Sequence, residues 1–117
     1  MRFFKLSEFK CPCCGRCEMD NDFLQRLDKA RELAGVPFVI NSGFRCAKHN
    51  KKIGGVPNSA HLRGLAADIA VPDNETRYKI LYGLIKAGFR RIGIAKNFIH
   101  TDIDIVTKPY PRMWLYY

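Results

Sequence analysis

Three residues of this chain could share one metal ion. His61 stands in a polar stretch just before an apolar segment, Asp68 lies inside that segment, and His100 occurs in a later apolar run beside Asp102 and Asp104. Alternate residues of an extended strand face one side, so His100, Asp102 and Asp104 are expected on the same face. Two histidines and one carboxylate are a ligand set of catalytic zinc, which leaves a fourth position for water. Zinc lowers the pKa of that water to about 7 and polarises a carbonyl, chemistry that suits hydrolysis. Residue types and spacing leave a plainer reading open: hydrogen-bonded core histidines, and strand aspartates that are solvated or paired.

The elements that must position these residues read as follows. Asp20 or Asn21 can cap a helix in which Phe23, Leu24, Leu27, Ala30, Leu33 and Ala34 recur at helical spacing, and Gly35 stops it. Pro37 to Asn41 reads as a short buried strand, followed by a Ser42-Gly43 turn that delivers Phe44 and Arg45. From Cys46 to Gly64 the chain is rich in turn formers and reads as a loop, the kind of segment that carries function. Leu65 to Val71 has the apolar density of a central strand, in which the charge of Asp68 needs a partner. A second helix starts at Pro72-Asp73-Asn74-Glu75 and carries Tyr78, Ile80, Leu81, Leu84 and Ile85 as an apolar stripe to near Gly88. Arg91 to Ala95 and Phe98 to Ile105 read as a hairpin around Lys96-Asn97, and the tail from Pro109 to Tyr117 is aromatic and broken by proline. The expected fold class is α+β, with helices flanking a mainly antiparallel sheet.

Cysteines form a second cluster of chemistry-bearing residues. Cys11, Cys13, Cys14 and Cys17 fall within one short segment, and Cys46 follows Arg45. Cys11-x-x-Cys14 and Cys14-x-x-Cys17 have the spacing of a thiolate knuckle, but a structural zinc site needs four ligands. Three states stay open for Cys11, Cys14, Cys17 and Cys46: a second metal site, a disulfide, or free thiols.

Composition limits the alternatives. With 117 residues the chain has the size of one domain, spanning 1–117 with a cysteine-rich segment at 11–17. No apolar run approaches the ~18 residues of a membrane span, and the charged amino terminus lacks the apolar core of a secretory signal. Synthesis in the cytoplasm is the expectation. A formal charge of +9 favours acidic partners, among them an anionic cell wall. The basic residues are scattered, with no nucleic-acid-binding signature beside them, so no specific nucleic-acid partner is expected.

Ser59-Ala60-His61-Leu62-Arg63-Gly64-Leu65-Ala66-Ala67-Asp68 resembles the S-x-H-x-x-G-x-A-x-D signature of the zinc D-Ala-D-Ala carboxypeptidases. Phe98-Ile99-His100-Thr101-Asp102 resembles that family's F-x-H-x-D strand, and Ser42-Gly43-Phe44-Arg45 its S-G-[YF]-R turn. Asn50, Gly54-Gly55, Asn58, Arg112 and Trp114 fit its small phage and bacterial members, and the likeness runs from about Phe9 to Tyr116. The resemblance implies the fold these enzymes share with the hedgehog signalling domain, and action on the cell wall after phage-type release; a monomer is the expectation. It implies Zn2+ on His61, Asp68 and His100, with Arg45 gripping the terminal carboxylate of a peptidoglycan stem peptide and Ser59 hydrogen-bonding that substrate.

Several relatives place a glutamate three residues before the last histidine as general base. Here that position is Asn97, which cannot take a proton. Asp102 is the replacement that strand geometry offers, or else a group that orients His100; Asp104 and His49 are weaker candidates. The implied reaction is amide hydrolysis by a carboxypeptidase or an endopeptidase. A non-catalytic zinc module that binds cell wall or protein, and a basic nucleic-acid binder organised by the cysteine segment, are the rival readings.

Overall fold

Helix boundaries fall where capping chemistry and apolar periodicity agree. In this computed structural model, which describes residues 1–116, helix α1 (Asn21–Ala34) begins on Asp20. The Asp20 carboxylate accepts the backbone N–H of Phe23, and Gly35 ends the helix at φ 71°, a left-handed conformation that glycine adopts without strain. Helix α3 (Asn74–Lys86) is capped in the same way by Asp73, whose side chain accepts from Thr76. The two helices pack directly on one another. A side chain at Gly83 would come within 2.3 Å of the Ala30 carbonyl, so glycine is what lets the two backbones approach.

Strands β1 (Ile40–Ser42), β2 (Ala66–Ala70), β3 (Arg91–Ile94), β4 (Phe98–Asp102) and β5 (Arg112–Leu115) form one sheet in the order β1-β2-β4-β3-β5. All pairings are antiparallel except β3 with β5. This is the expected α+β class with a mainly antiparallel sheet. Alternation divides the sheet into two faces. Ala67, Ile69, Ile92 and Ile99 turn toward the helices and join Phe23, Leu27, Phe38, Ile80 and Leu84 in the core. Burying a Phe or Leu side chain of this kind contributes about 1.5–3 kcal/mol. The residues between them, Asp68, Arg91, Gly93, His100 and Asp102, belong to the other face.

Five expectations are corrected. The first strand is shifted to Ile40–Ser42, because its pairing with β2 is irregular there and Val39 is 61% exposed. The stretch from Cys46 to Gly64 holds a short helix, α2 (Ala47–Lys52), and a 3-10 turn at Ala60–Arg63, each started by a side-chain cap too local to show as periodicity. In α3 only Ile80, Gly83 and Leu84 are buried, while Tyr78 and Ile85 are exposed, since the stripe is wider than the surface α1 and the sheet can cover. The proline-broken tail contributes β5, a strand whose partner β3 is distant in sequence. Finally, β4 ends at Asp102, so Asp104 leaves the strand alternation. Its buried carboxylate accepts from Arg63 and from the Thr107 hydroxyl and N–H.

Among the described residues no helix is long and apolar enough to cross a membrane. Burial pushes the Asp104 carboxyl up, but the Arg63 and Thr107 hydrogen bonds outweigh it and hold it below the usual carboxylate range. A carboxyl lowered in the folded state stabilises the protein above its unfolded pKa, and that contribution is lost as pH falls through the lowered value. Asp104→Asn is therefore expected to cost about 1–3 kcal/mol at pH 7, with the penalty shrinking below about pH 4. Urea unfolding of both proteins at the two pH values checks this.

Candidate metal centre

Antiparallel register places Asp68 of β2 directly opposite His100 of β4, so a hydrogen-bonding strand pair brings together residues far apart in sequence. His61 arrives from the neighbouring 3-10 turn. Ser59 caps that turn, its hydroxyl accepting the His61 N–H at 3.2 Å, and Gly64 closes it at φ 67°. A side chain at Gly64 would meet the Glu18 carbonyl at 2.0 Å, so the turn needs glycine for space as well as conformation. The turn after β1 is tied to the same place: Arg45 N–H donates to the His61 carbonyl at 3.1 Å, and the Gly43 carbonyl accepts from His61 Nδ1 at 2.7 Å.

One donor atom from each of His61, Asp68 and His100 lies within 4.8 Å of the others. Because Gly43 offers only an acceptor, His61 carries its proton on Nδ1 and turns a bare Nε2 inward. That Nε2 is buried, makes no hydrogen bond, and faces Asp68 Oδ1 at 3.4 Å. His100 repeats the arrangement with its nitrogens exchanged. Its Nε2 donates to Asp102 Oδ2 at 2.7 Å, which leaves Nδ1 facing the same Asp68 oxygen at 2.9 Å. Two imidazole lone pairs and a carboxylate oxygen pointed at one another repel unless a cation stands among them. The donor set therefore fits a divalent metal of zinc type. A proton can serve in its place: although burial pushes His100 down, Asp102 and Asp68 outweigh that and raise its pKa, whereas burial lowers His61 and keeps it neutral.

Asp68 is anchored from its other side by Arg45, whose Nη2 lies 3.2 Å from Oδ2. Arg45 is itself held by Ser42 Oγ at 3.1 Å and by Oδ1 of the buried Asn50 at 3.2 Å. These three bonds use three of the five guanidinium N–H groups and leave one on each terminal nitrogen. A cavity of about 420 Å³ opens beside the cluster, with Arg45, Ser59, Lys108, Trp114 and Tyr116 in its walls.

Asp102 sits across the His100 ring from Asp68. It is 2% exposed, and its Oδ1 accepts from Arg91 Nε at 2.7 Å and from the Asp104 N–H at 3.1 Å. Both its oxygens are thus engaged by hydrogen bonds. Asp104, His49 and Asn97 lie outside the cavity wall, Asn97 being exposed at the hairpin turn. Arg91 and Lys108 were not legible as site residues. Arg91 had a signal, because the expected hairpin register sets it opposite Asp102. Of the thiols, Cys11, Cys14 and Cys46 come together, while Cys17 turns away and donates to the Leu6 carbonyl at 3.2 Å.

Trp114 reaches His100 although β3 separates their strands. Gly93 of β3 pairs with both, and without a side chain there the two rings lie 5.7 Å apart. A Cβ on Gly93 would meet Trp114 Nε1 at 2.5 Å. Gly93→Val is expected to push Trp114, the only tryptophan of the chain, into water. A red-shifted fluorescence emission with unchanged far-UV circular dichroism is the expected result.

No curated protein matches the chain significantly. The family model described as Peptidase M15 matches residues 3–104, a span that holds His61, Asp68 and His100 together with the turn that carries Arg45. The donor cluster fits the zinc dependence of that family, and the match takes in most of the chain; the chain belongs to the Peptidase M15 family of zinc metallopeptidases.

Proposed function

We propose that this protein hydrolyses a peptide bond in peptidoglycan stem peptides, with zinc held by His61 Nε2, Asp68 and His100 Nδ1. The observation that carries the reading is the unpartnered, buried Nε2 of His61 aimed at the Asp68 carboxylate inside a cavity. A zinc ion held there supplies Lewis acidity, which polarises a carbonyl and lowers the pKa of water.

The chain's own residues do the rest. Arg45 keeps two N–H groups after binding Ser42, Asn50 and Asp68, a pair suited to a substrate carboxylate. This favours a carboxypeptidase that removes a terminal residue such as D-Ala over an endopeptidase. Lys108 lines the same cavity and joins no ion pair among the described residues, so it offers a second positive charge to an acidic stem. Ser59 lines the cavity as well, although its hydroxyl already caps the turn of His61; its role is to hold that histidine in place.

Asp102 is a positioning residue in this reading. By accepting from His100 Nε2 it fixes the tautomer that presents Nδ1, and Arg91 keeps the carboxylate from rotating away. Asn97 is exposed at the hairpin turn and does not line the cavity. A charge of +9 supports adhesion to an anionic wall, an attraction that salt weakens.

Metal analysis and product analysis together test the proposal. Purified protein is expected to release D-Ala from a pentapeptide stem, to stop when a chelator removes zinc, and to recover when zinc is returned. No release at stoichiometric zinc overturns the enzymatic reading, and cleavage confined to an internal bond overturns the carboxypeptidase preference. Asp102→Asn is expected to weaken zinc affinity by about 10–100-fold, measured by competition with a chromogenic chelator. Arg45→Lys is expected to raise KM far more than it lowers zinc content, since lysine cannot reproduce the forked contact.

A further inference from the structure

A second group of metal-type donors lies apart from the histidine cluster. Cys11, Cys14 and Cys46 each place a sulfur within 4.8 Å of the other two. Cys11 and Cys14 belong to one tight turn, Cys11-Pro12-Cys13-Cys14-Gly15, in which the Gly15 N–H donates to the Cys11 carbonyl at 2.8 Å and Gly15 takes φ 74°. Cys46 comes from the other side, at the start of α2.

The distance between these sulfurs distinguishes a disulfide from a metal site. A disulfide needs about 2.05 Å between them. In a tetrahedral zinc site, with Zn–S bonds of about 2.3 Å, neighbouring sulfurs stand ~3.8 Å apart. Cys11 Sγ and Cys46 Sγ are 3.7 Å apart. The backbone is arranged for thiolates as well: the Cys46 N–H points at Cys11 Sγ at 3.4 Å, and the His49 N–H points at Cys46 Sγ at 3.4 Å. Cys13, next to Cys14 in the same turn, is exposed.

We propose that Cys11, Cys14 and Cys46 form a second, structural site for a soft divalent cation of the zinc class, which clamps the amino-terminal segment to the turn that carries Arg45. Soft thiolates in a tetrahedral arrangement select zinc over harder cations. The clamp has a defined load. The Phe44 N–H donates to the Phe9 carbonyl at 2.8 Å, and a side chain on Gly43 would come within 2.7 Å of the Phe9 backbone. Cys11 and Cys46 therefore close a contact whose other members include Gly43, the acceptor for His61, and Arg45. This site needs none of the histidine donors and holds whether or not the protein is a peptidase.

Cobalt substitution and metal counting test the proposal on the full chain, prepared under reducing conditions with wild type, His61→Ala, Cys14→Ser and the double variant. Cys14 is exposed, so its substitution leaves the core intact. Wild type is expected to hold two zinc ions, each single variant one, and the double variant none. Cobalt-loaded His61→Ala is expected to show intense near-ultraviolet thiolate-to-cobalt charge transfer with four-coordinate visible bands, both lost in the double variant. Retention of these bands with the same single metal ion in wild type and in His61→Ala counts against the histidine site alone. Absence of the bands while all five thiols react as free thiols, or a Cys11–Cys46 disulfide by mass spectrometry without bound metal, overturns the proposal.

Discussion

The carboxylate of Asp68 is the point on which the functional side of this protein depends. One of its oxygens faces a bare nitrogen of His61 and another of His100, and the other oxygen meets Arg45. An oxygen faced by two imidazole lone pairs is costly to bury even with Arg45 on its twin, so the cluster favours positive charge at its centre, from a metal or a proton. Each neighbour is fixed by a partner on its far side. Gly43 holds His61, Asp102 holds His100, and Ser42 with Asn50 holds Arg45. The inner Nε2 of His61 is unsatisfied while the outer contacts are complete, which is the pattern of a binding site rather than of a packed core.

The sheet supplies the rigidity this requires. Its helix-facing side is apolar and continuous, with Ala67, Ile69 and Ile99 fully buried. The residues between them are therefore committed to the opposite face, because a slip of one position would exchange the two sets. Direct pairing of Asp68 with His100 follows from that register, as does the approach of Trp114 to His100 over Gly93. Arg91 lies opposite Asp102 in the same ladder and stacks its guanidinium 4.9 Å from the Trp114 ring. Packing on one face thus sets the chemistry on the other.

Two turns complete the centre, and both lean on the amino-terminal segment. The turn of Gly43 to Arg45 leans on Phe9 and on the cysteine segment, and the turn of His61 leans on Glu18 through Gly64. The amino-terminal residues therefore act as a brace behind the site. A cation bound by the three thiols would make that brace rigid without taking part in hydrolysis.

Much of this protein was legible before folding. Helical spacing with Asp20, Asp73 and Gly35 marked α1 and α3, and the motifs around Arg45, His61, Asp68 and His100 named the donors, because capping and alternation are local rules and donor chemistry belongs to the residue. The strand β5, the outward turn of Tyr78 and the departure of Asp104 were not legible, since each depends on a partner distant in the chain, and the short helix α2 starts from a cap too local to show as periodicity. The role of Asp102 is the clearest case. Its parity with His100 was evident from the strand, but parity alone allows a free carboxylate or a bound one. Only the arrival of Arg91 from β3 and of the Asp104 N–H from beyond the strand end occupied its oxygens, and hydrogen-bond occupancy is a property of the assembled tertiary structure.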